Sequence, residues 1–145
     1  MEAIRSAILE GASGEDLAGL PLPLAFRGAV VRAAEQEMFA GVPSEDKDPR
    51  TSVHVDDIEL PELAPDEVFL AVMASSINFN TVWTSIFEPL STFQFLSRLG
   101  KESVWGARHD QPFHVIGSDA SGVVLRVGSA VRLWKPGDAV TVHCN

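Results

Sequence analysis

Cysteine is nearly absent from this chain: Cys144 is the only one in 145 residues. That excludes an intramolecular disulfide and any zinc site built on paired cysteines. Cys144 itself reads as a small buried hydrophobe rather than a nucleophile. Basic residues are also scarce, 11 against 20 acidic ones, for a formal charge of −9. Nucleic-acid and anionic-membrane surfaces both need clustered Lys and Arg, so neither partner fits this balance. No apolar run approaches the roughly 18 residues of a membrane span. The opening "MEAIRSAILEGASGEDL" carries acids and lacks the basic start and long apolar segment of a secretory signal. A reducing, cytoplasmic location is the expectation.

Familiar site motifs are missing as well. The chain has no GxxxxGK[ST], no GxGxxG between a strand and a helix, and no GxSxG. Nothing in it therefore binds a nucleotide by the usual βαβ route. His54, His109, His114 and His143 are scattered without HExxH spacing, and each reads as a surface or hydrogen-bonded histidine rather than a metal ligand.

What is present suits one globular domain with one core, at 46% hydrophobic and 21% charged residues. Ile4, Ala7 and Ile8 have helical spacing, and "GASGED" then breaks a short N-terminal helix over residues 1–9. "LPLPLAF" is a Pro-punctuated link, and Gly28 to Ala34 is a candidate strand whose alanines also fit a helix. Pro43 to Arg50, "PSEDKDPR", reads as a solvated loop. A half-buried strand is expected from Thr51 to about Ile58, and Val68 to Ile77 suits a strand covered on both faces. "TVWTSIF" has the spacing of one or two helical turns. "STFQFLSRLG" reads as a helix with Ser91 as N-cap and Gly100 past its end. "FHVIG" is strand-like, and "SGVVLRVG" sets Val123, Leu125 and Val127 on one face between Gly122 and Gly128. The turn "KPGD", Lys135 to Asp138, leads to a strand from Ala139. That strand meets the end of the chain within a few residues, so the sequence is expected to be cut short.

Two stretches stand out: "SSINFNTVWTSIFEP", Ser75 to Pro89, and "PFHVIGSDASGVVLRVGSAVRLWKPGDAV", Pro112 to Val140. The first puts two asparagines around Phe79 where an apolar run stops, although Asn is a poor strand former and costly to bury unpaired. On the residues alone, a strand-end or helix-cap Asn satisfies local backbone. The glycines of the second stretch read as turns and bulges in a β-rich domain.

"GSDASGVVLRVGSAV" followed by "WKPGDAV" resembles the GroES-like domain of medium-chain dehydrogenases/reductases. Zinc members of that superfamily carry Gly-His-Glu where Gly117, Ser118 and Asp119 stand, and a further cysteine ligand near Asn78 to Asn80. Neither feature is present, so the resemblance points to the zinc-free branch, with no metal. "MFAGVPSEDKDPR", "VMASSINFNTVWTSIFEPLSTFQFL", "RHDQPFHVIGSD" and "WKPGDAVTVHCN" narrow the match to crotonyl-CoA carboxylase/reductase, the 2-enoyl-CoA carboxylase/reductase family.

That resemblance implies a mainly β fold with short helices, a GroES-like partly open barrel, truncated at the C-terminus. It divides the chain into an N-terminal helical and extended segment, residues 1–36, and an incomplete substrate domain, residues 37–145, with the Rossmann cofactor domain absent. The implied reaction joins a 2-enoyl-CoA thioester and CO2 to an alkylmalonyl-CoA at the expense of NADPH in the full-length enzyme. Asn80 is implied to hydrogen-bond CO2 through its side-chain amide, with Asn78, Phe79 and Thr81 as substrate-side neighbours and Asn78 also expected to close the strand before them. Phe79, Val82, Trp83, Ile86 and Phe87 are candidate dry walls, and Glu88 a helix-end or interface charge. A homo-oligomer, or a complementing C-terminal Rossmann subunit, is the implied assembly. Two other functions stay open on the residues alone: a zinc-free enoyl-CoA or quinone reductase domain without carboxylation, and a non-catalytic GroES-like binding module.

Overall fold

The structure, a computed structural model, describes residues 1–143. The elements in order are α1 (Glu2–Leu9), α2 (Gly14–Gly19), β1 (Ala25–Arg32), β2 (His54–Glu59), β3 (Val68–Ala74), α3 (Phe79–Ser85), α4 (Thr92–Glu102), α5 (Val104–Ala107), β4 (Phe113–Val115), β5 (Asp119–Val127) and β6 (Ala139–His143). Two three-stranded sheets, β2–β1–β4 and β3–β5–β6, belong to two compact units. The fold is mixed and mainly β with short helices, as the sequence led us to expect. The expected character of Cys144 lies outside the described residues.

The first unit comprises Met1–Phe26, Glu59–Ser76 and Ser118–Asn145. Ile4 and Leu17, from the two N-terminal helices, pack with Ala71 of β3 and Leu125 of β5 in its core. Burying such side chains contributes about 1.5–3 kcal/mol each for the larger ones, which holds the short α1 in place where helix propensity alone would not. The helix α2 was missed in the sequence, where "GASGED" read only as a break. Its signal is a capping box: the Asp16 amide donates to Ser13 Oγ at 3.2 Å, and the Ser13 amide donates to Asp16 Oδ2 at 3.1 Å. Arg126 closes the other end by donating to the carbonyls of Leu17 and Leu20.

The central strand β5 pairs antiparallel with both β3 and β6. Gly122 sits inside it, where the sequence had placed a strand boundary. It is opposite Val72 on one side and Val140 on the other, beside a register shift in β3. A glycine there marks close backbone approach rather than an end. The expectation that β3 is covered on both faces is also corrected. The strand stops at Ala74, and Val72 and Met73 are exposed among the described residues.

The second unit comprises Arg27–Ile58 and Ile77–Gly117. Val30 and Val31 of β1 are both fully buried, so this strand is covered on both faces. In β2 the inward positions are His54, Asp56 and Ile58, while the apolar Val55 faces out. Polar residues are tolerated inward because each is paired: His54 Nε2 lies 2.9 Å from Glu35 Oε2, and Asp56 Oδ2 is 3.1 Å from an Arg32 nitrogen. Burial pushes the His114 imidazole of β4 below its ordinary pKa, with the nearby His109 adding to the shift.

Helix α4 begins as expected, with Ser91 Oγ accepting from the Phe93 amide at 3.3 Å. Gly100 does not end it; the helix continues to Glu102. A Cβ at Gly100 would stand 2.7 Å from the Asp110 Cβ, so glycine is there for close packing, not for a left-handed cap. The loop at Pro43 to Arg50 is two 3-10 turns rather than a purely solvated excursion. Its Lys47 side chain is only 12% exposed.

Candidate functional site

The first short stretch singled out in the sequence, Ser75 to Pro89, becomes the linker that follows β3, then α3 and the turn that leaves it. The two asparagines separate cleanly. Asn78 does not close the strand, which ended four residues earlier. It is the N-cap of α3, and its Oδ1 accepts from the Thr81 amide at 3.1 Å. The Asn78 amide in turn reaches Thr81 Oγ1 at 3.5 Å, which completes a capping box. Asn78 and Thr81 thus satisfy backbone donors that a helix start would otherwise leave open. Replacing Asn78 by Ala is expected to destabilise the chain by about 1 kcal/mol, read as a lower urea midpoint, with Asn78→Asp close to wild type.

Asn80 occupies the second position of the helix. It is exposed, and its amide makes no hydrogen bond with the described residues. Trp83 lies one turn further along and shares a helix face with Phe79 and Asn80. The Phe79 and Trp83 rings are 5.9 Å apart, with Phe79 78% and Trp83 46% exposed. Asn80 is therefore a donor and acceptor set among aromatic surface.

The candidate walls divide in two. Phe79, Val82 and Trp83 are exposed among the described residues, whereas Ile86 is buried in the core. Phe87 is half-buried, with its ring 6.4 Å from Phe39 and 6.5 Å from Phe93. Ile86 and Phe87 hold the helix, and only the first three residues face outward.

The end of α3 is fixed by residues that sequence reasoning did not connect. The hydroxyl of fully buried Ser52 donates to the Ser85 carbonyl, and the Glu88 amide donates to the Trp83 carbonyl at 2.9 Å. The Glu88 carboxylate accepts from Lys47 Nζ at 2.5 Å and from Ser44 Oγ at 2.8 Å. Those two hydrogen bonds, that from Lys47 foremost, hold the Glu88 carboxyl below its usual pKa. No sequence spacing signals a contact between residues 41 positions apart.

A separate open cleft of about 530 Å3 lies in the second unit, with Gln36, Phe93, Ser97, Arg98, Lys101 and Asp110 among its lining. It contains no residue of α3. Arg98 is paired with Glu102, and Asp110 stands with Lys101 in the lining, so the cleft has no marked excess of either charge.

Among the described residues, no group of three His, Cys, Asp or Glu side chains is placed to hold a metal ion. The β1–β4, β3–β5 and β5–β6 pairs are all antiparallel. No parallel βαβ unit with a glycine-rich turn, the usual frame of a dinucleotide site, is formed by these pairs. No helix among them is long and apolar enough to cross a membrane.

Comparison with known proteins places these features. The sequence pattern of the alcohol dehydrogenase GroES-like domain matches residues 64–145. A crotonyl-CoA reductase from Streptomyces avermitilis is 56% identical over 144 residues, which is 99% of this chain and 32% of that protein. A crotonyl-CoA carboxylase/reductase from Cereibacter sphaeroides is 35% identical over 112 residues, 76% of this chain and 23% of that protein. A solved 2-octenoyl-CoA carboxylase reductase in complex with NADP and 2-octenoyl-CoA superposes with a TM-score of 0.90 at 51% identity, over 97% of this chain and 31% of that one. The ligand-free structure of the same enzyme, from a Streptomyces species, gives 0.89. The chain spans about a third of the length of the two Streptomyces relatives and about a quarter of the Cereibacter one. It belongs to the alcohol dehydrogenase GroES-like domain family, and is a homologue of the crotonyl-CoA reductases and carboxylase/reductases of the medium-chain dehydrogenase/reductase superfamily.

Proposed function

We propose that this chain supplies part of the substrate side of an NADPH-dependent reductive carboxylase acting on a 2-enoyl-CoA, crotonyl-CoA or longer, and that Asn80 positions CO2. The observation that carries the reading is the exposed Asn80 amide, without a hydrogen bond to the described residues, at the start of a helix whose cap pair, Asn78 and Thr81, is occupied in capping. The likeness to an enzyme solved with NADP and 2-octenoyl-CoA supports the substrate class.

NADPH, when bound to the complete enzyme, supplies the hydride that turns the enoyl thioester into an enolate. The residues of this chain govern how that enolate is captured. CO2 is linear, uncharged and without a dipole, so a cation is not needed to hold it. An amide N–H aimed at one oxygen polarises the carbon and sets it against the nucleophilic carbon of the enolate. As the new bond forms, carboxylate charge grows on that oxygen and the hydrogen bond strengthens. Water delivering a proton to the enolate gives simple reduction instead, so apolar cover around Asn80 favours carboxylation. In this reading the exposed Phe79, Val82 and Trp83 contribute it.

In this reading residues 37–145 are the substrate domain, residues 1–36 precede it, and the cofactor domain is separate. The test is product analysis of the complete enzyme given a 2-enoyl-CoA, NADPH and labelled bicarbonate. Labelled alkylmalonyl-CoA is the expected product. Saturated acyl-CoA alone, at any bicarbonate concentration, would instead identify a zinc-free enoyl reductase.

A further inference from the structure

We infer that Lys47 is a positioning residue for Asn80, acting through Glu88 at the far end of the same helix. The inference rests on the reading of Asn80 as the group that positions CO2. Helix α3 is only seven residues long, too short to hold its own geometry in water. The chain leaves it through Phe87, whose φ of 59° lies in the left-handed region that bulky residues rarely adopt. Such a conformation is costly and persists only where surrounding contacts impose it. The next residue is Glu88, and the contacts converge there.

Lys47 Nζ is 2.5 Å from Glu88 Oε1, and Ser44 Oγ is 2.8 Å from each Glu88 oxygen. The side chains of Lys47 and Glu88 are 12% and 25% exposed, so the pair is shielded from solvent more than an ordinary surface bridge. Lys47 Nζ also stands 5.9 Å from the centre of the Phe39 ring, and Phe39 packs on Phe87. One ammonium thus holds both the carboxylate after the strained residue and the ring that packs against it. With the Asn78 cap at one end and this clamp at the other, Asn80 sits on an element fixed from both sides.

Capture of CO2 is more sensitive to that fixing than hydride transfer is. A weakly interacting neutral molecule must be held within bonding reach of the enolate, whereas a proton from water needs no held partner. Loosening the clamp should therefore raise the CO2 concentration at which carboxylation equals protonation. It should leave NADPH oxidation without CO2 close to wild type.

The test uses the complete enzyme with 2-enoyl-CoA, NADPH and varied CO2, and reads the ratio of carboxylated to saturated product. Lys47→Met is expected to raise the half-point by about tenfold, because small displacements of a positioned group cost factors of this size or more. Glu88→Gln, which keeps the shape and the Ser44 hydrogen bond, should do the same. It also keeps the test informative if the lysine variant folds poorly. The double variant should show less than the product of the two single effects, since both break one contact. Asn80→Leu is run alongside. If that change shifts the half-point and neither clamp variant does, the role of Lys47 is overturned alone. If the clamp variants lose reduction and carboxylation in equal proportion, the contact is merely structural and the inference fails. If Asn80→Leu shifts nothing, the reading of Asn80 fails and this inference with it.

Discussion

Replacing Gly122 by alanine is expected to destabilise the first unit by about 3 kcal/mol, seen as a large drop in urea midpoint and in soluble yield. An added Cβ would lie 2.1 Å from the Ala71 carbonyl oxygen, 3.0 Å from its carbon and 3.2 Å from Leu70 Cγ. The obstacle is backbone, not the tip of a flexible side chain. Relief requires β3 to move away from β5, and the ladder between them includes Leu70 opposite Val124 and Ala71 opposite Val123. Moving β5 the other way presses on β6, which pairs with it from Asp119 to Val123. Both routes break hydrogen bonds in a unit whose core includes Ala71 and Leu125. A control at Gly11 separates crowding from strain. A Cβ there meets nothing within 4 Å, but φ is 77°, so Gly11→Ala should cost only the left-handed conformation, about 1 kcal/mol. Equal midpoints for the two variants would show that the approach of Ala71 to Gly122 is not a tight constraint.

The periodic elements were legible in the sequence. Ile4, Ala7 and Ile8 announced α1, and "KPGD" announced the turn into β6. The elements that escaped depend on capping or on long-range packing. Helix α2 has too few apolar residues to show a period, and only Ser13 and Asp16 mark it. Gly100 looked like a helix stop because glycine usually is one. Only the approach of Asp110 explains it inside α4. In β2 the apolar residue Val55 faces outward because His54 and Asp56 find partners in Glu35 and Arg32, which no alternation pattern reveals.

At the site, the presence of a helix after "NFN" was readable, but Asn78 read as the end of the strand rather than as the helix cap it is. Asn78 and Thr81 stand three apart, the spacing of a capping box, and that was the available signal. Once Asn78 is the cap, Asn80 is the amide left over. The clamp from Lys47 and Ser44 to Glu88 had no local signal at all. Charged residues in a proline-bounded loop look solvated until the fold brings a carboxylate to them.

Asn80→Leu should cut the ratio of carboxylated to saturated product by about 100-fold at a fixed CO2 concentration, the range found when a donor to developing negative charge is removed. Leucine keeps similar volume and apolar contact with the Phe79 and Trp83 face, so the change isolates the amide. The helix should remain, because its cap is Asn78 and not Asn80. NADPH oxidation should persist, with the enolate taking a proton in place of CO2.

The most direct measurement is the product ratio of the complete enzyme titrated against CO2, for wild type and Asn80→Leu side by side. Wild type is expected to reach equal amounts of both products at a low CO2 concentration, and the variant to need about 100-fold more. Superimposable curves, or equal loss of both products in the variant, would contradict the assignment of Asn80 to CO2.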